Sequence, residues 1–160
     1  CKREGNMSKL NKKGMTLLEV MVVVLLIAGL ASMAYPSFLT SVEKGKAIEA
    51  IRVVSHAVAA QKQYHEENES YATAFQDLAF DITGKNVSVS GGTATTDNFT
   101  YTLGESSVTA SHNAGSSYTY TITGNYDTDG LICATGTQTN NDKKICSTLG
   151  KQDGNSYRID

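Results

Sequence analysis

Gly14-Met15-Thr16-Leu17-Leu18-Glu19-Val20-Met21-Val22-Val23-Val24-Leu25-Leu26-Ile27-Ala28-Gly29-Leu30-Ala31-Ser32-Met33-Ala34-Tyr35-Pro36 decides the reading of this chain. From Val20 to Ala34 the only polar side chain is Ser32. The run from Met15 to Tyr35 has 21 residues, and Glu19 is its only acidic or basic interruption. About 20 apolar helical residues cross the hydrocarbon core of a bilayer, so the run is long enough to span. A secretory signal peptide has a shorter apolar region, roughly 7–15 residues, with a cleavage site after it. Here helical patterning continues past Pro36. An ordinary membrane anchor fits the length but leaves Glu19 unexplained. A charged side chain costs about 2.5–3.5 kcal/mol at the centre of a membrane helix, and less near its end. Such a residue calls for a function and a named partner.

The charge pattern sets an orientation. Residues 1–14 carry a net +4, from Lys2, Arg3, Lys9, Lys12 and Lys13 against Glu4, and the remainder carries −6. A basic head before an apolar run keeps the head cytoplasmic and sends the body across. The acidic body argues against direct nucleic-acid binding.

Lys12-Lys13-Gly14-Met15-Thr16-Leu17-Leu18-Glu19 followed by the apolar run resembles the class III signal of type IV prepilins. The resemblance is close over about residues 12–40. It implies that a membrane peptidase cuts between Gly14 and Met15, on the cytoplasmic side, and N-methylates Met15. Gly14 presents no side chain to obstruct the protease. Glu19 stands at the family's acidic position, and Pro36 where many members place a helix-kinking proline. The resemblance also implies an assembly role. The Glu19 carboxylate of one subunit would pair with the Met15 amine of another, because a buried charge needs a partner. Two features depart from the pattern: Met15 replaces the usual Phe, and Gly29 falls one residue after the usual mid-helix glycine. A leader from Met7 to Gly14 suffices, and Cys1 is expected to be absent from the mature chain.

Past Pro36, Phe38, Val42, Ala47, Ile51, Val54, Val58 and Ala60 recur at mostly three- to five-residue steps, a helical stripe. Lys44, Lys46, Glu49, Arg52 and Gln61 to Gln63 are expected on other faces. Residues 15–67 therefore read as one long helix, apolar in its first half (15–36), amphipathic in its second (37–67), and kinked at Pro36. Residues 68–85 read as a loop with at most one helical turn, plugged by Phe75, Leu78 and Phe80. Residues 86–124 alternate with period two: Val87/Val89, Phe99/Tyr101/Leu103, Val108/Ala110 and Tyr118/Tyr120/Ile122. Breaks fall at Gly91-Gly92, Gly104-Glu105, Asn113-Ala114-Gly115 and Gly124-Asn125, which predicts an antiparallel meander. Residues 125–160 read as a C-terminal loop region. The fold expected is α+β and pilin-like: leader 1–14, helix 15–36, and globular domain 37–160 with the amphipathic helix on the meander.

Cys133 and Cys146 enclose twelve mostly polar residues. In an exported domain the pair reads as a disulfide; two free buried thiols are the alternative. The spacing is not that of a redox Cys-x-x-Cys motif. His56, His65 and His112 are scattered, and no metal or cofactor is expected. Asp127-Thr128-Asp129-Gly130 lacks the further acids of a calcium loop and reads as a turn. Asn68-Glu69-Ser70, Asn86-Val87-Ser88 and Asn98-Phe99-Thr100 match the N-glycosylation triplet. No nucleophile–base set or phosphate-cradling loop is evident, so no enzyme is expected.

The resemblance implies a structural subunit stored in the bacterial inner membrane and polymerised into a surface filament. Its partners would be copies of itself, the prepilin peptidase and the assembly machinery, with adhesion, motility or DNA uptake as roles. A pseudopilin of a type II secretion system or a minor pilin is the near alternative. A membrane-anchored binding domain that never polymerises is the alternative of a different class.

Overall fold

In a computed structural model, the structure describes residues 15–113, 118–136 and 140–159. The leader 1–14, with Gly14 and Cys1, lies outside the described residues, as does most of the expected break at 113–115. The chain divides into two units, Cys1–Leu39 and Thr40–Asp160. Helix α1, Leu17–Asn68, contributes to both, and Pro36 lies inside it.

In the first unit every residue from Met15 to Leu39 is exposed. At 1.5 Å rise per residue, the 21 residues from Met15 to Tyr35 cover about 30 Å when helical, close to the thickness of a hydrocarbon core. This helix is long and apolar enough to cross a membrane.

In the second unit, strands β1 (Ser88–Ser90), β2 (Thr93–Thr95), β3 (Phe99–Leu103), β4 (Ser107–His112), β5 (Tyr120–Asn125), β6 (Leu131–Thr135), β7 (Lys151–Asp153) and β8 (Ser156–Ile159) form one antiparallel sheet. Its order is β1-β2-β3-β4-β5-β6-β8-β7. Strands β1 to β5 form the meander that alternation predicts over 86–124, and β6 extends it beyond that boundary. One face carries Ala94, Phe99, Tyr101, Val108, Ala110, Tyr120, Ile122 and Cys133, all buried. Thr100, Thr102, Thr109, Thr121 and Thr123 alternate with them in sequence and are not buried.

The helix meets this face with small side chains. Ala47, Ala50, Val54 and Ala57 are fully buried, and large rings on the sheet fill the space they leave. Gly124 marks the closest approach. A Cβ there would sit 2.7 Å from Val58 Cγ2, 2.8 Å from Leu131 Cδ2 and 2.9 Å from Val54 Cγ1. The buried line runs Glu43, Ala47, Ala50, Val53/Val54, Ala57, Gln61. It differs from the expected stripe: Phe38 and Val42 are exposed, Ile51, Val58 and Ala60 are only partly buried, and Gln61 faces the core. Hydropathy picks the larger apolar side chains, whereas the aromatic sheet selects the smaller ones.

The segment after α1 packs as expected. A 3-10 turn spans Phe75–Asp77, Phe75 and Leu78 are buried, and Phe80 lies against the core. Gln61 holds this segment with two bonds. Its Nε2 donates to Ala72 O at 2.8 Å, and its Oε1 accepts from Ala72 N at 2.9 Å.

The C-terminal region departs from the loop reading of 125–160. β5 runs through the expected break to Asn125, and β6, helix α2 (Asn140–Leu149), β7 and β8 follow. β8 pairs with β6 and β7 closes on β8 as a hairpin, turned at Gly154 with φ +61°. These strands are three to five residues long, too short for a period-two pattern to emerge from polar surroundings.

Candidate processing and assembly site at the helix N-terminus

Met15 and Thr16 precede α1. Thr16 Oγ1 accepts from the Glu19 N–H at 3.3 Å, and Thr16 O accepts from Val20 N at 3.3 Å. Thr16 therefore N-caps the helix, satisfying one of its orphan donors. Thr-x-x-Glu is also the spacing of a capping box. Glu19 falls in the first turn, where the positive end of the helix dipole favours a carboxylate. Sequence reading assigned Glu19 an intermolecular partner and overlooked this local role of Thr16. The tetrad itself carried the signal.

Around Glu19, Leu17, Leu18, Val20, Met21, Val22 and Val23 are all substantially exposed. No described residue forms an ion pair with the Glu19 carboxylate. The arrangement presents an anion within an unbroken apolar surface. That surface suits lipid or packed helices, and in either setting the charge demands a partner.

In the second unit the described side chains build a separate polar cluster. Glu43 on α1 is buried. Tyr120 on β5 donates its hydroxyl to Glu43 Oε1 at 3.0 Å, and His112 Nε2 on β4 lies 2.8 Å from the same oxygen. Lys46 Nζ lies 3.2 Å from Oε2. Burial pushes the Glu43 carboxyl up, but His112, Lys46 and Tyr120 together hold it below its ordinary value. Burial and the Glu43 charge push Tyr120 well above the usual phenol range. Asp142 on α2 is buried as well; it accepts from Thr119 N at 2.8 Å and Thr119 Oγ1 at 3.0 Å. Sequence reading passed over Glu43 and Asp142 and treated His112 as isolated. Residues far apart in the chain meet only through the sheet.

Cys133 on β6 and Cys146 on α2 form a disulfide with a Cα separation of 5.5 Å, and both are fully buried. It fastens α2 to the sheet. His56 and His65 remain outside the His112 cluster and are exposed. Asp127 and Asp129 make separate contacts: Tyr71 Oη donates to Asp127 Oδ1 at 3.2 Å, and Lys62 pairs with Asp129 at 3.1 Å.

Comparison with known families places a prokaryotic N-terminal methylation motif at residues 9–35. No curated protein matches the chain. The motif spans Lys9, Lys12, Lys13, Gly14, Met15, Glu19 and the apolar run to Tyr35. It implies processing by a prepilin peptidase, and the exposed apolar helix fits anchoring in an inner membrane. The methylation motif supports a type IV pilin-like or pseudopilin-like protein, and the long N-terminal helix, the antiparallel sheet and the Cys133–Cys146 disulfide are consistent with a pilin-like α+β fold.

Proposed function

We propose that this chain is a structural subunit of a type IV pilus and not an enzyme. It is inserted in the inner membrane with residues 1–14 cytoplasmic and the sheet-bearing unit on the far side. Cleavage between Gly14 and Met15 frees an α-amine, which is then methylated. During assembly the Glu19 carboxylate of an incoming subunit pairs with the Met15 amine of one already in place. That pairing compensates a charge otherwise stranded among apolar side chains and fixes the axial register. Pro36 removes the N–H that would donate to the Ser32 carbonyl, giving the helix a point at which to bend. The filament carries its helices inside and its sheets, with the disulfide-fastened C-terminal region, outside.

The observation that carries this reading is the methylation motif on a helix whose apolar surface is wholly exposed around Glu19. Glu19→Ala tests it. The variant is expected to insert in the membrane at the wild-type level and to yield no surface filaments. Normal filaments from Glu19→Ala would contradict the pairing and favour a membrane-anchored domain with another task.

A further inference from the structure

The fold treats the Asn-x-Ser/Thr triplets at Asn68, Asn86 and Asn98 differently. Asn98 lies half-buried before Phe99, which is in the core, and its Nδ2 donates to Glu49 Oε2 at 3.1 Å. Thr100 Oγ1 is engaged with Asn113 Oδ1 at 2.7 Å. An enzyme could take this triplet only by extracting Phe99 and breaking β3. Asn86 is exposed, but its Nδ2 donates to Asp97 Oδ1 at 2.7 Å, and Ser88 is already paired in β1.

Asn68 is different. It is the last residue of α1, and Asn68, Glu69 and Ser70 are all exposed and outside the sheet. Its Nδ2 donates to the neutral Tyr64 carbonyl at 3.0 Å, a weaker hold than the charge-assisted bonds on Asn86 and Asn98. Glu69 takes φ +55°, a left-handed conformation uncommon for a residue other than glycine. Ser70 Oγ donates to Asn68 O at 3.3 Å. The triplet is thus presented as a tight, water-exposed turn with its amide weakly held. Glu66 supplies, two residues before Asn68, the acid that bacterial acceptor sites favour.

We infer that Asn68 is an acceptor for an N-linked saccharide. The donor is a saccharide carried on a polyprenyl diphosphate. Asn68 Nδ2 attacks the anomeric carbon, and a C–N bond forms as the anomeric C–O bond breaks. The diphosphate leaves with the bonding pair, and Nδ2 gives up one proton to a base of the transferase. The modification needs Asn68 outside the cytoplasm and so rests on the proposed export.

Peptide mass spectrometry of the full chain from native envelopes tests this. Trypsin cuts after Lys62 and Lys85, which separates Asn68 from the triplets at Asn86 and Asn98. The expected result is a saccharide mass on peptide 63–85, located on Asn68, with peptide 86–143 bare. Asn68→Gln and Ser70→Ala should each abolish it while the Cys133–Cys146 disulfide still forms. A bare Asn68 in chains with that disulfide oxidised overturns the inference, as does an increment that persists in Asn68→Gln. Chains with reduced cysteines and residues 1–14 retained would instead overturn the export reading, and this inference with it.

Discussion

Gly124 lacks a side chain because α1 leaves no room for one. Val54, Val58 and Leu131 occupy the volume that a Cβ would enter. Gly124→Ala is expected to destabilise the chain by about 1–3 kcal/mol through overpacking, read as a lower urea midpoint in detergent solution. Glu43 is the second position at which one residue governs the packing. Its partners come from α1, β4 and β5, so Glu43→Ala removes the carboxylate that His112, Lys46 and the Tyr120 hydroxyl share. Removing one partner of a buried pair costs about 3–5 kcal/mol. The pH dependence follows from the same contacts. The Glu43 carboxyl is held below its ordinary value of 4.5, so the folded state binds that proton less readily than the unfolded chain. Its contribution is fully present above 4.5 and is lost as pH falls below it. Urea titrations above and below that value should therefore show the gap between the wild type and Glu43→Gln narrowing in acid. None of this could be read from the sequence. Glu43 sits in a lysine-rich stretch that looks solvated, and its compensation comes from residues about 70 positions away. Gly14, Met15 and Glu19, by contrast, were singled out from local spacing alone.

Elements were legible in proportion to their length and regularity. A 52-residue helix with an apolar first half is recoverable from periodicity and composition. So is the meander from β1 to β5, where inward aromatics alternate with outward threonines. Which side of the helix faced the sheet was legible only in part: Ala47 and Val54 of the expected stripe are in the core, and Ile51, Val58 and Ala60 pack against it. Large apolar residues suggested a line through Val42 and Ile51, whereas burial follows the alanines opposite Phe99, Tyr101 and Tyr120. The region after residue 125 was misread as loop because its strands are only three to five residues long. Its cysteine pair was readable, and the disulfide joins β6 to α2. Closing a loop of this size contributes roughly 3 kcal/mol in the chain-entropy model. Cys133→Ala/Cys146→Ala should lower stability by about that amount, with α2 losing hydrogen-exchange protection before the strands of the meander. Thr16→Ala removes the oxygen that accepts from Glu19 N. Loss of such a cap costs about 1 kcal/mol of helix stability, seen as faster amide exchange at Glu19 in detergent.

At the scale of the whole molecule, the two units answer different requirements. In the sheet-bearing unit the buried Glu43, Gln61 and Asp142 each have hydrogen-bond partners. The first unit satisfies little by itself. Its apolar side chains are exposed, and no described residue pairs with Glu19. Such a surface is stable only in lipid or against other helices. On the proposed assembly, a subunit that moves from one to the other would retain its apolar surroundings, while the Glu19 charge would acquire a fixed partner. The central claim is that this transfer happens to a cleaved chain. Intact-mass and peptide mass spectrometry of filaments sheared from native cells tests it most directly. The account predicts an abundant chain beginning at N-methylated Met15, with Cys133 joined to Cys146. An uncut chain, still carrying Lys12 and Lys13 and confined to the envelope, would contradict it.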